Sequence, residues 1–178
     1  MTRNETILAI LEFMGALGPF EEPGEREERE KAWVEDAGSA ALAQLLELTR
    51  RAPAADELDG VTPEEFEYEL SWLLTIIGKR APAIFLTDVV PYLNDPNARK
   101  TIIEILGALG LVESLPWLEP LVEDRSLTEE DATRLACALG EIGGAKALTL
   151  LKRLADTTPA DRMRAHNEIR IAVEAARR

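Results

Sequence analysis

Ile102-Ile103-Glu104-Ile105-Leu106-Gly107-Ala108-Leu109-Gly110, followed by Leu115, Leu118 and Leu121, is the stretch whose reading decides the fold. Thirty-three positions on, the same phrase returns as Leu135-Ala136-Cys137-Ala138-Leu139-Gly140-Glu141-Ile142-Gly143, followed by Leu148, Leu151 and Leu154. Each copy reads as an apolar helix, a glycine-marked turn and a second helix with leucines three apart. A helix-turn-helix unit recurring at this period is the mark of a solenoid, in which each unit buries its apolar face against the next.

The glycines carry specific tasks. Gly110 and Gly143 fall where each first helix must end, and a positive backbone angle there is cheap only for glycine. Gly107 and Gly140 lie one turn earlier, inside the helix, where glycine costs about 1 kcal/mol relative to alanine. Close packing between the two helices of a pair is the expected compensation. The pattern Leu-Gly-x-Leu/Ile-Gly, then leucines at spacing three, resembles HEAT-like repeats of the variety named after phycobilisome lyases. The resemblance extends over most of the chain and implies architecture; such repeats serve many functions.

Outward from this core, the chain reads as an all-α solenoid of about four helix pairs and a C-terminal capping helix. Repeat 1 spans 1–51. Its first helix, over about Glu5 to Leu17 with Asn4 as cap, presents Ile7, Leu8, Ile10, Leu11 and Met14, and ends Met14-Gly15-Ala16-Leu17-Gly18. A charged insertion over 19–36 follows, containing Glu25-Arg26-Glu27-Glu28-Arg29-Glu30-Lys31 and ending near Trp33. Its charged part reads as a short solvated helix supported by i,i+4 pairs, and the insertion either as a loop anchored on the body by Trp33 or as a lid or partner-contacting arm. The second helix of the repeat then runs from about Ser39 to Arg51, with Leu42, Leu45 and Leu48 inward.

Repeat 2 spans 62–94 and opens with a cap, a helix-start proline and two acids, Thr62-Pro63-Glu64-Glu65. Its first helix is expected to end at Gly78. Repeats 3 and 4 span 95–124 and 128–156. The capping helix spans 159–178 and is expected to bury Met163, Ile169 and Val173, or a subset of them. Pro91 and Pro120 are expected to end or kink their helices, whereas Pro116 sits harmlessly near a helix start. All of this makes one domain over 1–178.

Of 178 residues, 33 are acidic and 20 basic, a net charge of −13. The excess is uneven: residues 1–70 hold 18 acids against 6 bases, and residues 71–178 hold 15 against 14. Such a field repels nucleic acid and anionic membranes and steers a basic partner, or it serves solubility alone. No apolar run is long enough to span a membrane, and Glu5 and Glu12 interrupt the N-terminal apolar stretch, which argues against a signal peptide. With one cysteine no internal disulfide forms, and a cytoplasmic location is the expectation.

Equivalent positions in the repeats locate a candidate surface. In the second helices, the residue before the second inward leucine is Gln44, Phe85, Trp117 and Leu150. Three residues on, the column reads Glu47, Asp88, Pro120 and Arg153. In HEAT-like solenoids the second helices line the concave face. The resemblance therefore implies an apolar column Phe85–Trp117–Leu150, flanked by Gln44, Glu47 and Asp88 on one side and Arg153 on the other. These side chains either anchor a partner or pack between neighbouring repeats. A first-helix column, Glu12, Trp72, Glu104 and Cys137, points outward because two of its members are glutamates. Trp72 there needs a cover, from the 19–36 insertion or from a partner.

Chemistry finds little support. A single histidine, His166, cannot build the His-Glu metal site of deoxyhypusine hydroxylase, another HEAT-like protein, and no nucleophile–base pair or phosphate-cradling glycine loop is present. HEAT-like alkylpurine DNA glycosylases use a basic groove, and this chain is acidic. The expectation is a non-catalytic module without cofactor or metal, an adaptor or immunity-type inhibitor of a basic protein. A phycobilin-lyase-like chromophore handler, holding a flat ligand with Phe85, Trp117 and Tyr92, and an acidic mimic of nucleic acid are the alternatives.

Overall fold

The computed structural model describes residues 2–16 and 23–177. The fold is all-α and solenoid-like, with no strand among the described residues. The chain divides into two compact units, Met1–Tyr92 and Leu93–Arg178.

In the first unit, α1 (Arg3–Ala16) begins earlier than Asn4 suggests. Thr2 and Glu5 form a reciprocal cap: the Glu5 N–H donates to Thr2 Oγ1 (3.3 Å) and the Thr2 N–H to Glu5 Oε2 (2.6 Å). Ile7, Ile10 and Phe13 are buried, while Leu8 is exposed. Leu17 and Gly18, expected to close this helix, lie outside the described residues.

The charged stretch is helical, as its i,i+4 pairs suggest, but continuous with the helix that follows it. From residue 23 to residue 36 the charged stretch is not a separate loop or arm but the N-terminal half of one 28-residue helix, α2 (Pro23–Arg50). The physical reason is local: Pro23 suits a first turn, no proline follows before Arg50, and Arg26 pairs with Glu30 one turn on at 2.8 Å. The C-terminal half buries Leu42, Leu45 and Leu48 as expected, and Leu46 with them.

A 3-10 turn at Ala55–Glu57 follows, with Leu58 fully buried. Arg3 grips Glu57 through two hydrogen bonds (2.5 and 3.2 Å), tying this turn back to α1. Next is α3 (Pro63–Arg80), opened by the Thr62–Glu65 capping box; it continues past Gly78, which is buried in it. Then α4 (Pro82–Val89) gives way at Pro91 to a 3-10 turn, Val90–Asn94, because proline cannot donate the next helical hydrogen bond.

The second unit comprises α5 (Pro96–Leu109), α6 (Leu115–Val122), α7 (Glu129–Ile142), α8 (Gly144–Thr157) and α9 (Met163–Ala175). The first helices α5, α7 and α9 stack in one layer; α6 and α8 form the other. Gly110 closes α5 at φ 62° and Gly143 closes α7 at φ 69°, as the turns require. Pro120 lies inside α6 rather than ending it, and the helix stops two residues later.

Gly107 and Gly140 do permit close packing, but not within a helix pair. A Cβ on Gly107 would lie 2.7 Å from Ala138 Cα on α7, and one on Gly140 would lie 2.9 Å from Ala172 Cβ on α9. The glycines thus set the spacing between successive first helices. The last helix joins that layer through Ala165, Ile169, Ala172 and Ala176, whose 4-3-4 spacing keeps them on one face. It starts at Met163 instead of Pro159, Met163 is exposed (71%), and Val173 is only half-buried. Met163, the first residue of α9, lies off the face formed by Ala165, Ile169, Ala172 and Ala176, and it is Ala172 that meets Gly140 of α7.

Buried polar contacts lock the second unit. Arg99 is buried, donates to the Leu93 carbonyl (2.9 Å) and faces Asp124 (3.7 Å) and Asp131 (4.0 Å). Thr157 Oγ1 donates to the Val122 carbonyl (2.7 Å), joining α8 to the end of α6.

Candidate partner-binding surfaces

The expected apolar column is not a surface feature. Phe85 is fully buried and Leu150 is 1% exposed; Trp117 alone of the three reaches solvent, at 48%. The inward face of a second helix is wider than a line of leucines at spacing three. In α8 it comprises Ala147, Leu150, Leu151 and Leu154, in α4 Phe85, Leu86 and Val89. Positions 85 and 150 belong to that stripe and pack into their own units. In α6 the stripe is Leu115, Leu118, Leu121 and Val122, which leaves Trp117 outside it between the exposed Pro116 and Pro120.

The other expected site residues are placed as follows. In the first unit Gln44 is half-buried. Glu47 is half-buried, pairs with Arg50 (2.9 Å) and accepts from the Tyr92 hydroxyl (3.5 Å), while the Arg50 guanidinium lies 5.8 Å from the Tyr92 ring centroid. Tyr92 is therefore engaged within the unit and not presented to a flat ligand. Asp88 is exposed on α4. Trp33 is half-buried, its ring tilted against Phe13 of α1 at 6.3 Å. In the second unit Arg153 reaches from α8 to Glu119 (2.6 Å) and Glu123 (2.7 Å) of α6, and Lys146 faces Glu119 at 3.8 Å. Arg153 thus braces the helix that presents Trp117.

A second surface forms in the first unit, around Trp72. The outward column predicted a need for cover there, and the charged half of α2 supplies it. The indole N–H donates to Glu30 Oε1 at 2.5 Å, and Arg26 and Lys79 stand 5.6 and 5.7 Å from the ring centroid. Glu30 and Glu69 are both buried, and Arg26 bridges them at 2.8 and 3.4 Å. Burial raises the pKa of Glu69 against the opposing pull of Arg26, with Glu30 adding to the rise. Further along, Arg80 faces Glu35 at 3.9 Å. Between the two helices lies a groove of about 440 Å³, lined by Trp72 and Ile76, by the cations Arg26, Lys31, Lys79 and Arg80, and by Glu30. The pairing that builds it was not in the repeat pattern; the only sequence signal was a tryptophan in a column of glutamates.

Elsewhere in the first-helix column, Glu104 is exposed and pairs with Arg134, and Cys137 is half-buried. Burial, then Glu168, push the thiol up to about 11, so it stays protonated at neutral pH.

Residues 87–169 match the family model for HEAT repeats. No curated protein and no solved structure matches the chain. The matched HEAT-repeat span begins within α4, includes all of α5 to α8 and ends within α9, so the glycine-spaced first-helix layer falls inside it. The match supports a HEAT-like repeat family without singling out the phycobilisome-lyase variety. Among the described residues no helix is long and apolar enough to cross a membrane, and no cluster of His, Cys, Asp or Glu is arranged to hold a metal ion.

Proposed function

We propose that the protein is a non-catalytic module that binds a basic protein partner, as an adaptor or an immunity-type inhibitor. The observation that carries this reading is Trp117. A tryptophan 48% exposed on a second helix, set between two prolines and braced from α8, is a preformed anchor. Indole side chains dominate binding energy when a partner desolvates them. Its helix is held in place before any partner arrives, so little ordering accompanies association.

The sign of the partner follows from charge. Residues 1–92 hold 19 acids against 8 bases, and the whole chain carries −13. That field accelerates encounter with a cationic surface and is screened by salt.

The test is capture from native lysate with wild type and Trp117→Ala in parallel, at low and high salt. A basic protein should be held by wild type at low salt and released at high salt. Trp117→Ala should hold it more weakly by about 2 kcal/mol or more, roughly 30-fold. A partner retained equally by both chains would show that the α6 face is not the interface.

A further inference from the structure

The first unit is strongly acidic, yet four of its eight bases, Arg26, Lys31, Lys79 and Arg80, line one groove. Two of the local acids are consumed below the surface. Glu30 accepts from Arg26 and from the Trp72 indole, and Glu69 faces Arg26, with both carboxylates buried. Glu30 lines the groove as well, its carboxylate engaged by Arg26 and the Trp72 indole, and Arg80 faces the exposed Glu35 at 3.9 Å, which leaves Lys31 and Lys79 as the cations of the rim. Lys31, Lys79 and Arg80 are exposed, and the floor between them is the indole of Trp72 and the side chain of Ile76.

This local reversal of sign has a cost that packing does not require. Arg26 and Arg80 have carboxylate partners, but Lys31 and Lys79 add like charge to one rim, and a lysine over an indole covers apolar surface no better than leucine would. An acidic surface offering one cationic, apolar-floored groove selects for a ligand that is itself locally acidic and carries an apolar side chain. The groove is open and bounded by two helices, which suits a chain segment, and both faces of recognition are present: cations for carboxylates, a floor for one apolar group.

We propose that the groove between the N-terminal half of α2 and α3 docks an acidic segment of a partner protein, its carboxylates on Lys31 and Lys79 and an apolar side chain over Trp72 and Ile76. The proposal rests on the reading of the chain as a protein-binding module, but on a surface separate from Trp117. It adds a specificity element to that reading: a partner basic overall must also carry an acidic segment. Because the rest of the unit repels anions, a uniformly acidic protein is discriminated against before it reaches the groove.

The test uses the full chain and a capped peptide of glutamate, leucine and alanine, followed by titration calorimetry. The controls are the same peptide with lysine for glutamate, and free citrate as a small anion. The glutamate peptide should bind and the lysine peptide should not bind competitively with it. In the double variant Lys31→Glu, Lys79→Glu, both substitutions being at exposed positions, affinity should fall at least tenfold with the melting temperature unchanged. Trp117→Ala should leave peptide binding as it is, so loss of the groove proposal and loss of the α6 reading are separate results. Absence of peptide binding, binding indifferent to the double variant, or displacement by citrate at equal concentration would each overturn the proposal, the last by assigning the groove to small anions.

Discussion

Gly107 and Gly140 show how far a single residue's meaning depends on what stands opposite. By helix propensity each should be improved by alanine, worth about 1 kcal/mol. In the folded chain a Cβ at 107 would meet Ala138 Cα at 2.7 Å and its Cβ at 2.9 Å. Backbone cannot swing aside as a side-chain tip can, so α5 and α7 must separate, and such overpacking costs about 1–3 kcal/mol. Gly107→Ala should therefore destabilise the protein by about 1–2 kcal/mol in urea unfolding despite its better propensity. Gly15→Ala in α1, where no atom lies within 4 Å, is the control and should not destabilise. Equal behaviour of the two variants would mean that the first-helix spacing is not set by Gly107. These glycines were legible as unusual in the sequence. Their partner was not, because a repeat pattern states periodicity and leaves open which neighbour a face meets.

At the scale of elements, α2 decides the character of the first unit. Its charged half reads in the sequence as an insertion, since later repeats have no counterpart for it. In the structure that half lies along α3, running in the same direction: Arg26 faces Glu69, Glu30 meets Trp72, and Arg80 faces Glu35. Continuity of the helix is what brings these residues into register. Ala32 is exposed and within the helix, so Ala32→Pro tests the element without removing a contact. An interior proline costs a helix about 3 kcal/mol or more. The expected outcome is loss of helicity in the charged half and a red-shifted Trp72 emission as its cover is released, read in a variant with the other tryptophans replaced by phenylalanine. An unshifted emission would mean that the cover does not depend on helix continuity. Caps, by contrast, were readable in advance: Thr62-Pro63-Glu64-Glu65 forms the box it spells, with the Thr62 N–H donating to Glu65 Oε2 at 2.9 Å. Local signals survive folding when both partners are three residues apart.

For the molecule as a whole, charge is the quantity that sequence states most directly. A net −13, concentrated in residues 1–70, opposes compaction through self-repulsion. Raising salt from about 10 mM to about 150 mM shortens the screening length from about 30 Å to about 8 Å. Stability should therefore rise over that range, with the gain in amide-exchange protection largest in residues 1–92. A melting temperature that falls with salt would show that the ion pairs, such as Arg3–Glu57, outweigh the repulsion.

The sequence by itself determined the helical class, the repeat period, the Thr62 cap, the helix-ending Gly110 and Gly143 and the acidic balance. Each of these rests on interactions within a few residues or on composition, which no tertiary arrangement can alter. Only the tertiary structure decided which tryptophan reaches solvent, that Phe85 and Leu150 are core, and that four bases gather around Trp72. Those outcomes turn on the rotation of each helix about its axis and on which helix lies beside it. Leucines at spacing three leave that rotation uncertain by about one residue, or about 100° of arc. An error of that size is enough to turn a core position into an apparent surface anchor.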